Sequence, residues 1–73
     1  MDVSYLVLVK ADTAGGYWTQ VPVLPGCGSQ GDTIEDALAH TREAIQSYIG
    51  SLLKHGEPVP EDHTLVTQVA VSA

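Results

Sequence analysis

A dense run of turn formers leading straight into one long amphipathic period constrains this chain more than any other feature. Residues 22–33 read Pro22-Val23-Leu24-Pro25-Gly26-Cys27-Gly28-Ser29-Gln30-Gly31-Asp32-Thr33. Pro25 presets φ for a tight turn, Gly26 relieves the steric limit after it, and Gly31 allows a sharp exit toward a helix. Each residue type therefore has a conformational reason to be there, and none of those reasons is chemical.

The helix after this run is marked at both ends. Thr33 is suited to the N-cap with Asp36 at N3, and Glu35 and Asp36 favour the positive end of the helix dipole. Ile34, Ala37, Leu38, Thr41, Ala44, Ile45, Tyr48, Ile49, Leu52 and Leu53 keep the spacing of three and four that builds one buried face. Lys54 and His55 sit at the negative end, Gly56 suits the C′ position, and Pro58 and Pro60 prevent continuation. Gly50 lies on the polar side and costs about 1 kcal/mol relative to Ala without breaking the helix.

Strands surround it. Residues 3–10 are rich in β-branched and aromatic side chains and read as a first strand, residues 11–16 as a hairpin loop, Tyr17–Val21 as a second strand ended by Pro22, and Cys27–Gln30 as a short third. After the linker 58–62, residues 64–71 set Leu65, Thr67, Val69 and Val71 against Val66, Gln68 and Ala70, and read as a fourth. The expected fold is α+β in two layers, β-β-β-α-β. A right-handed crossover through the helix lays the last strand beside the first and parallel to it, giving the sheet order 3-2-1-4.

Seventy-three residues make one domain, 1–73, of a size at which a single core barely suffices and association often supplies the rest. In the first strand Val3, Tyr5, Val7 and Val9 point to one face and Leu6 and Leu8 to the other, with Tyr17 or Trp18 continuing each face on the second strand. One helix covers only one face, so a second surface is expected, and the chain is expected to form a homodimer or higher homo-oligomer.

Charge narrows the partners. Lys10, Arg42 and Lys54 face nine acidic residues, for a net charge of −6. Three cations do not neutralise the phosphates of a typical nucleic-acid site, so direct nucleic-acid binding is not expected, and an acidic chain suits a basic protein partner. The longest apolar run, Tyr5 to Val9, is too short to span a bilayer, and no basic residue precedes Lys10 as a signal peptide requires, so a cytoplasmic location without membrane attachment is expected. A single cysteine, Cys27, has no intramolecular partner; it reads as a small buried hydrophobe, with no Cys-x-x-Cys or His-x-x-x-His spacing to support redox or metal chemistry.

Catalysis finds little support. Two-metal nuclease chemistry needs carboxylates converging from strand and helix positions. Here Asp12 falls in the hairpin loop, Asp32, Glu35 and Asp36 at the helix start, and Glu57, Glu61 and Asp62 in the linker. His40 and His55 lie fifteen residues apart on the helix, too far along its axis to share an ion, and with His63 they read as solvated. Ser29 and Ser47 sit in no nucleophile-elbow pattern. No enzyme activity, metal or cofactor is expected.

Four segments together resemble the HicB family of antitoxins: Gly15-Gly16-Tyr17, then Pro22-x-Leu24-Pro25-Gly26-Cys27, then Gly31-Asp32-Thr33 opening the helix, and Gly56-Glu57-Pro58-Val59-Pro60 after it. They span nearly the whole chain. The residues carrying the structural motif are Gly15, Gly16, Tyr17, Pro25, Gly26, Cys27, Gly31, Thr33 and Gly56. Val23 stands where the family usually has an acidic residue, and the sequence ends at Ala73, where many members continue into a DNA-binding domain. The resemblance implies a reduced ribonuclease-H-like fold and a binding role: occlusion of a small basic HicA-type ribonuclease toxin. On this reading the partner surface comprises Asp12, Asp32, Glu35 and Asp36, with Trp18 as an aromatic anchor. The alternative is a free-standing homo-oligomeric domain without a toxin, binding a small ligand.

Overall fold

The computed structural model describes residues 3–73. Its elements are β1 (Leu8–Ala11), β2 (Tyr17–Gln20), β3 (Gln30–Gly31) and α1 (Ile34–Lys54). The strands form one antiparallel sheet in the order β1-β2-β3, with α1 packed across β2 and β3.

The β1–β2 hairpin closes at Asp12, whose amide donates to the Gly16 carbonyl at 3.0 Å while its carboxylate accepts the Ala14 amide at 2.9 Å. The ladder is shorter than the first strand read from the sequence. Leu8 pairs with Gln20, and Pro22, which has no N–H, ends β2 just beyond, so residues 3–7 have no ladder partner. Two consecutive turns come next. The Leu24 amide donates to Val21 at 3.1 Å and the Cys27 amide to Leu24 at 2.9 Å, with Gly26 at φ +78 behind Pro25. That is the type II geometry, which only a residue tolerating positive φ can complete. Residues 27–29 run beside β2, through Val21 N–H to Cys27 and Thr19 N–H to Ser29, but paired strand is confined to Gln30–Gly31 and not the expected 27–30.

The turns fold Leu24 inward, where it joins Val21 and Cys27 as the buried centre, surrounded by Tyr5, Val7, Val23, Ala44, Ile45 and Tyr48. Gly31 lets the helix approach the sheet: a Cβ there would lie 2.8 Å from the Asp36 carbonyl carbon and closer still to the Ala37 amide. Nearby, two buried hydroxyls join the layers. Thr41 donates to the Ala37 carbonyl at 2.6 Å, so it accepts from Thr19, whose oxygen in turn receives the Ser29 amide at 2.9 Å. Both side chains are satisfied without water.

Thr33 caps α1 by accepting the Asp36 amide at 3.0 Å. At the other end the Gly56 amide donates to Leu53 and the Glu57 amide to Leu52, the paired bonds of a Schellman stop. Of the expected apolar face, Ala37 and Thr41 are buried and Ala44, Ile45, Tyr48, Ile49 and Leu52 half-buried. Ile34, Leu38 and Leu53 stay exposed.

Among the described residues, 64–71 form no fourth strand within the single chain. The linker is fastened to the first segment, the Tyr5 hydroxyl donating to the Pro60 carbonyl at 2.7 Å and the Leu6 amide to Asp62 Oδ2 at 2.6 Å. Beyond it, residues 64–71 pair with no strand, and Leu65, Val66, Val69 and Val71 are 91, 70, 81 and 82% exposed. The order 3-2-1-4 therefore reduces to 3-2-1. A radius of gyration of 14.3 Å, against about 11 Å for a compact chain of this length, reflects that projecting tail.

Candidate functional site

The hairpin loop and the start of α1 meet at one end of the sheet because β3 delivers the chain beside the hairpin and Thr33 starts the helix there. Their acids converge: Asp12, Asp32 and Asp36 line one shallow groove of about 440 Å³, floored by Gly15, Tyr17 and Gln30. No Lys or Arg lines it. His40 does, although its place in the sequence reads only as solvated surface. Its Nδ1 lies 2.7 Å from the Gln30 carbonyl; a carbonyl only accepts, so Nδ1 carries the proton and Nε2 is left to face other groups. The i, i+4 spacing from Asp36 is the signal that puts His40 on this side of the helix.

The other two residues of the expected partner surface lie elsewhere. Glu35 is exposed on the first turn but does not line the groove. Trp18 stands on the open face of the sheet, on the side opposite its buried neighbour Thr19, and is 36% exposed. Directly across the ladder, Lys10 places Nζ 5.1 Å from the ring centroid, a cation–π contact at an exposed site. The five residues thus form a groove of three acids, an adjacent glutamate, and a separate aromatic patch shared with Leu8.

The motif residues have conformational positions. Gly15, Gly16, Gly26 and Gly56 all adopt positive φ, Thr33 is the cap, and Cys27 is buried, its thiol pushed above the ordinary range by desolvation. That protonated thiol is a packing group. Among the described residues no three His, Cys, Asp or Glu side chains are grouped to hold a metal ion, and no helix is long and apolar enough to cross a membrane.

A second groove, of about 860 Å³, has no counterpart among the sites expected from the sequence. It runs between Val3, Tyr5 and Val7 on one side and Leu38, Ile45, Ile49 and Leu53 on the other. Its two walls are legible in the sequence as the apolar face of the first strand and the helix stripe; that they stay apart is not.

Comparison with known proteins places this arrangement. Residues 5–72 match the family described as HicB_like antitoxin of bacterial toxin-antitoxin system. A UPF0150 protein of Synechocystis is 41% identical over 68 residues, covering 93% of this chain and 86% of its own. A UPF0150 protein of Thermoplasma acidophilum is 46% identical over 61 residues, covering 84% and 88%. Among solved structures, the N-terminal domain of the Burkholderia pseudomallei antitoxin HicB superposes with a TM-score of 0.72 at 37% identity, over 81% of this chain and 69% of that one. The chain belongs to the HicB-like antitoxin family of bacterial toxin–antitoxin systems.

Proposed function

We propose that this chain is an antitoxin that acts by binding, covering the catalytic or RNA-binding surface of a small basic HicA-type ribonuclease in the cytoplasm, without chemistry or nucleic-acid contact of its own. The observation that carries the reading is the convergence of Asp12, Asp32 and Asp36 on one groove with no cation in its lining, in a chain of net charge −6. A cationic partner meets complementary potential there, which raises the rate of encounter and sets orientation. Glu35, exposed on the first turn of α1 outside the groove, adds to the negative charge of the same helix end. The same acids also stabilise the start of α1, so one set of charges serves fold and docking together.

Self-association is the second element of the proposal. Val3, Leu38 and Leu53 are 45, 42 and 64% exposed along the apolar groove, and a second copy laid there would bury them together. A free-standing oligomer without a toxin would use that surface alone.

The test is association kinetics against a small basic protein encoded beside this chain. Reversing Glu35 and Asp36 to Lys is expected to slow association by about ten-fold and flatten its dependence on salt, with less effect on dissociation. Unchanged association and salt dependence would reject the acidic surface. Trp18→Ala is expected to lower melting temperature less than a core truncation does, because the ring lies outside the buried centre; faster dissociation in this variant would add that face to the partner surface.

A further inference from the structure

We propose that residues 64–71 of one copy supply the fourth strand of a second copy, lying along the free edge of β1 and its extension through residues 3–7 and filling the apolar groove under α1, while the second copy returns the same segment. The inference rests on the self-association reading above and gives it a geometry.

Donor and acceptor are both on one chain. The donor, Thr64-Leu65-Val66-Thr67-Gln68-Val69-Ala70-Val71, is uncharged and largely β-branched, and its alternation puts Leu65, Val69 and Val71 on one face. Those three are almost fully exposed, so the segment has strand chemistry and no strand partner. The acceptor is complementary. β1 ends the sheet order, with no described strand on its far side, and an unpaired edge is a template for another strand. The groove beside it is walled by Tyr5 and Val7 against Ile45, Ile49 and Leu53.

Dimensions and charge agree. Residues 3–9 and residues 65–71 are segments of equal length, each about 20 Å when extended. An uncharged strand enters an acidic protein without repulsion, whereas an acidic tail would not. The chain's own tail does not line its groove. Tyr5 and Leu6 hold the linker at Pro60 and Asp62, and the Asp62 carboxylate turns the chain by accepting the Thr64 amide at 2.9 Å. Reciprocal exchange covers both exposed surfaces at once and closes as a two-fold dimer instead of an open chain of copies.

The experiment uses the full chain, with sedimentation to establish the species and isotope-filtered NOE spectra on a mixture of labelled and unlabelled protein. Expected are a dimer and inter-chain contacts linking Leu65, Val69 or Val71 to Tyr5, Val7, Ile49 or Leu53. Val69→Asp is expected to raise the dimer dissociation constant at least about ten-fold while circular dichroism shows the helix retained. A monomer at millimolar concentration would overturn both self-association and exchange. A dimer that Val69→Asp leaves intact, or whose tail contacts only its own chain, would overturn the exchange and leave self-association standing. A tail that becomes ordered only against an added basic partner would assign the groove to that partner and overturn the exchange as well.

Discussion

At the start of α1 the contacts that hold the helix come from its immediate neighbours: Thr33 beneath the Asp36 amide, and Gly31 against the backbone of Asp36 and Ala37. Past its end the stop is equally local, in the bonds from Gly56 and Glu57, but the residues after that stop have no local partner. The linker reaches back across 55 and 56 residues to Tyr5 and Leu6, and the tail stands exposed beside an apolar groove that it does not enter. One end of the molecule is held by its own neighbours; the other leaves apolar side chains exposed. The acidic groove lies at the first end, and the exposed apolar tail follows the second.

The contrast breaks most visibly in the core. Leu24→Ala, at 0% exposure, is expected to cost about 2–5 kcal/mol and to lower the melting temperature by many degrees. Leu65→Ala in dilute, monomeric protein is expected to change stability by no more than about 0.5 kcal/mol. Thermal denaturation of the pair measures the difference directly, and comparable losses would show that the tail packs within its own chain.

A smaller effect sharpens the local end. Thr33→Ala removes the side chain that accepts the Asp36 amide and is expected to cost about 1 kcal/mol, with Thr33→Ser restoring most of it. Chemical denaturation gives the values; a neutral Thr33→Ala would mean that Asp32 or solvent takes over the cap.

The smallest expected effect concerns the linker. Hydrogen bonds from the Thr64 side chain, and from the Leu6 and Thr64 amides, hold the Asp62 carboxyl below its ordinary range. A carboxyl depressed in the folded state stabilises above its unfolded value, and that contribution is lost as pH falls through the folded one. The clasp at Leu6 is thus present at neutral pH and released in acid. The Leu6 amide resonance should move with that titration and lose its pH dependence in Asp62→Asn; a resonance that ignores pH would remove Asp62 from the clasp.

The two ends also differ in how far a sequence can specify them. Thr33, Gly56 and the Pro25-Gly26 turn act through atoms a few residues away, so the helix bounds and the turn are legible without coordinates. Asp12, Asp32 and Asp36 read as one surface for the same reason, being brought together by a hairpin and a short third strand. Glu35 and Trp18 group with them only on charge and aromaticity, neither of which reports which way a side chain faces in a strand whose register is unknown. The fourth strand fails for a related reason. Alternation at residues 64–71 assigns two faces but names no partner edge, and a strand exists only when something pairs with it. The first strand is shorter than its composition suggests because Pro22, on the opposite strand, withdraws the partner.

The clasp between the two termini also bears on how the protein is made. The Tyr5 hydroxyl and the Leu6 amide wait for Pro60 and Asp62. At a synthesis rate of about 5–20 residues per second, some 55 residues take roughly 3–11 s to appear. The hairpin and helix need only their own neighbours and assemble within microseconds of emerging. For those seconds the first segment lacks its polar tether, and Tyr5 and Val7 are held only by packing around Val21, Leu24 and Cys27.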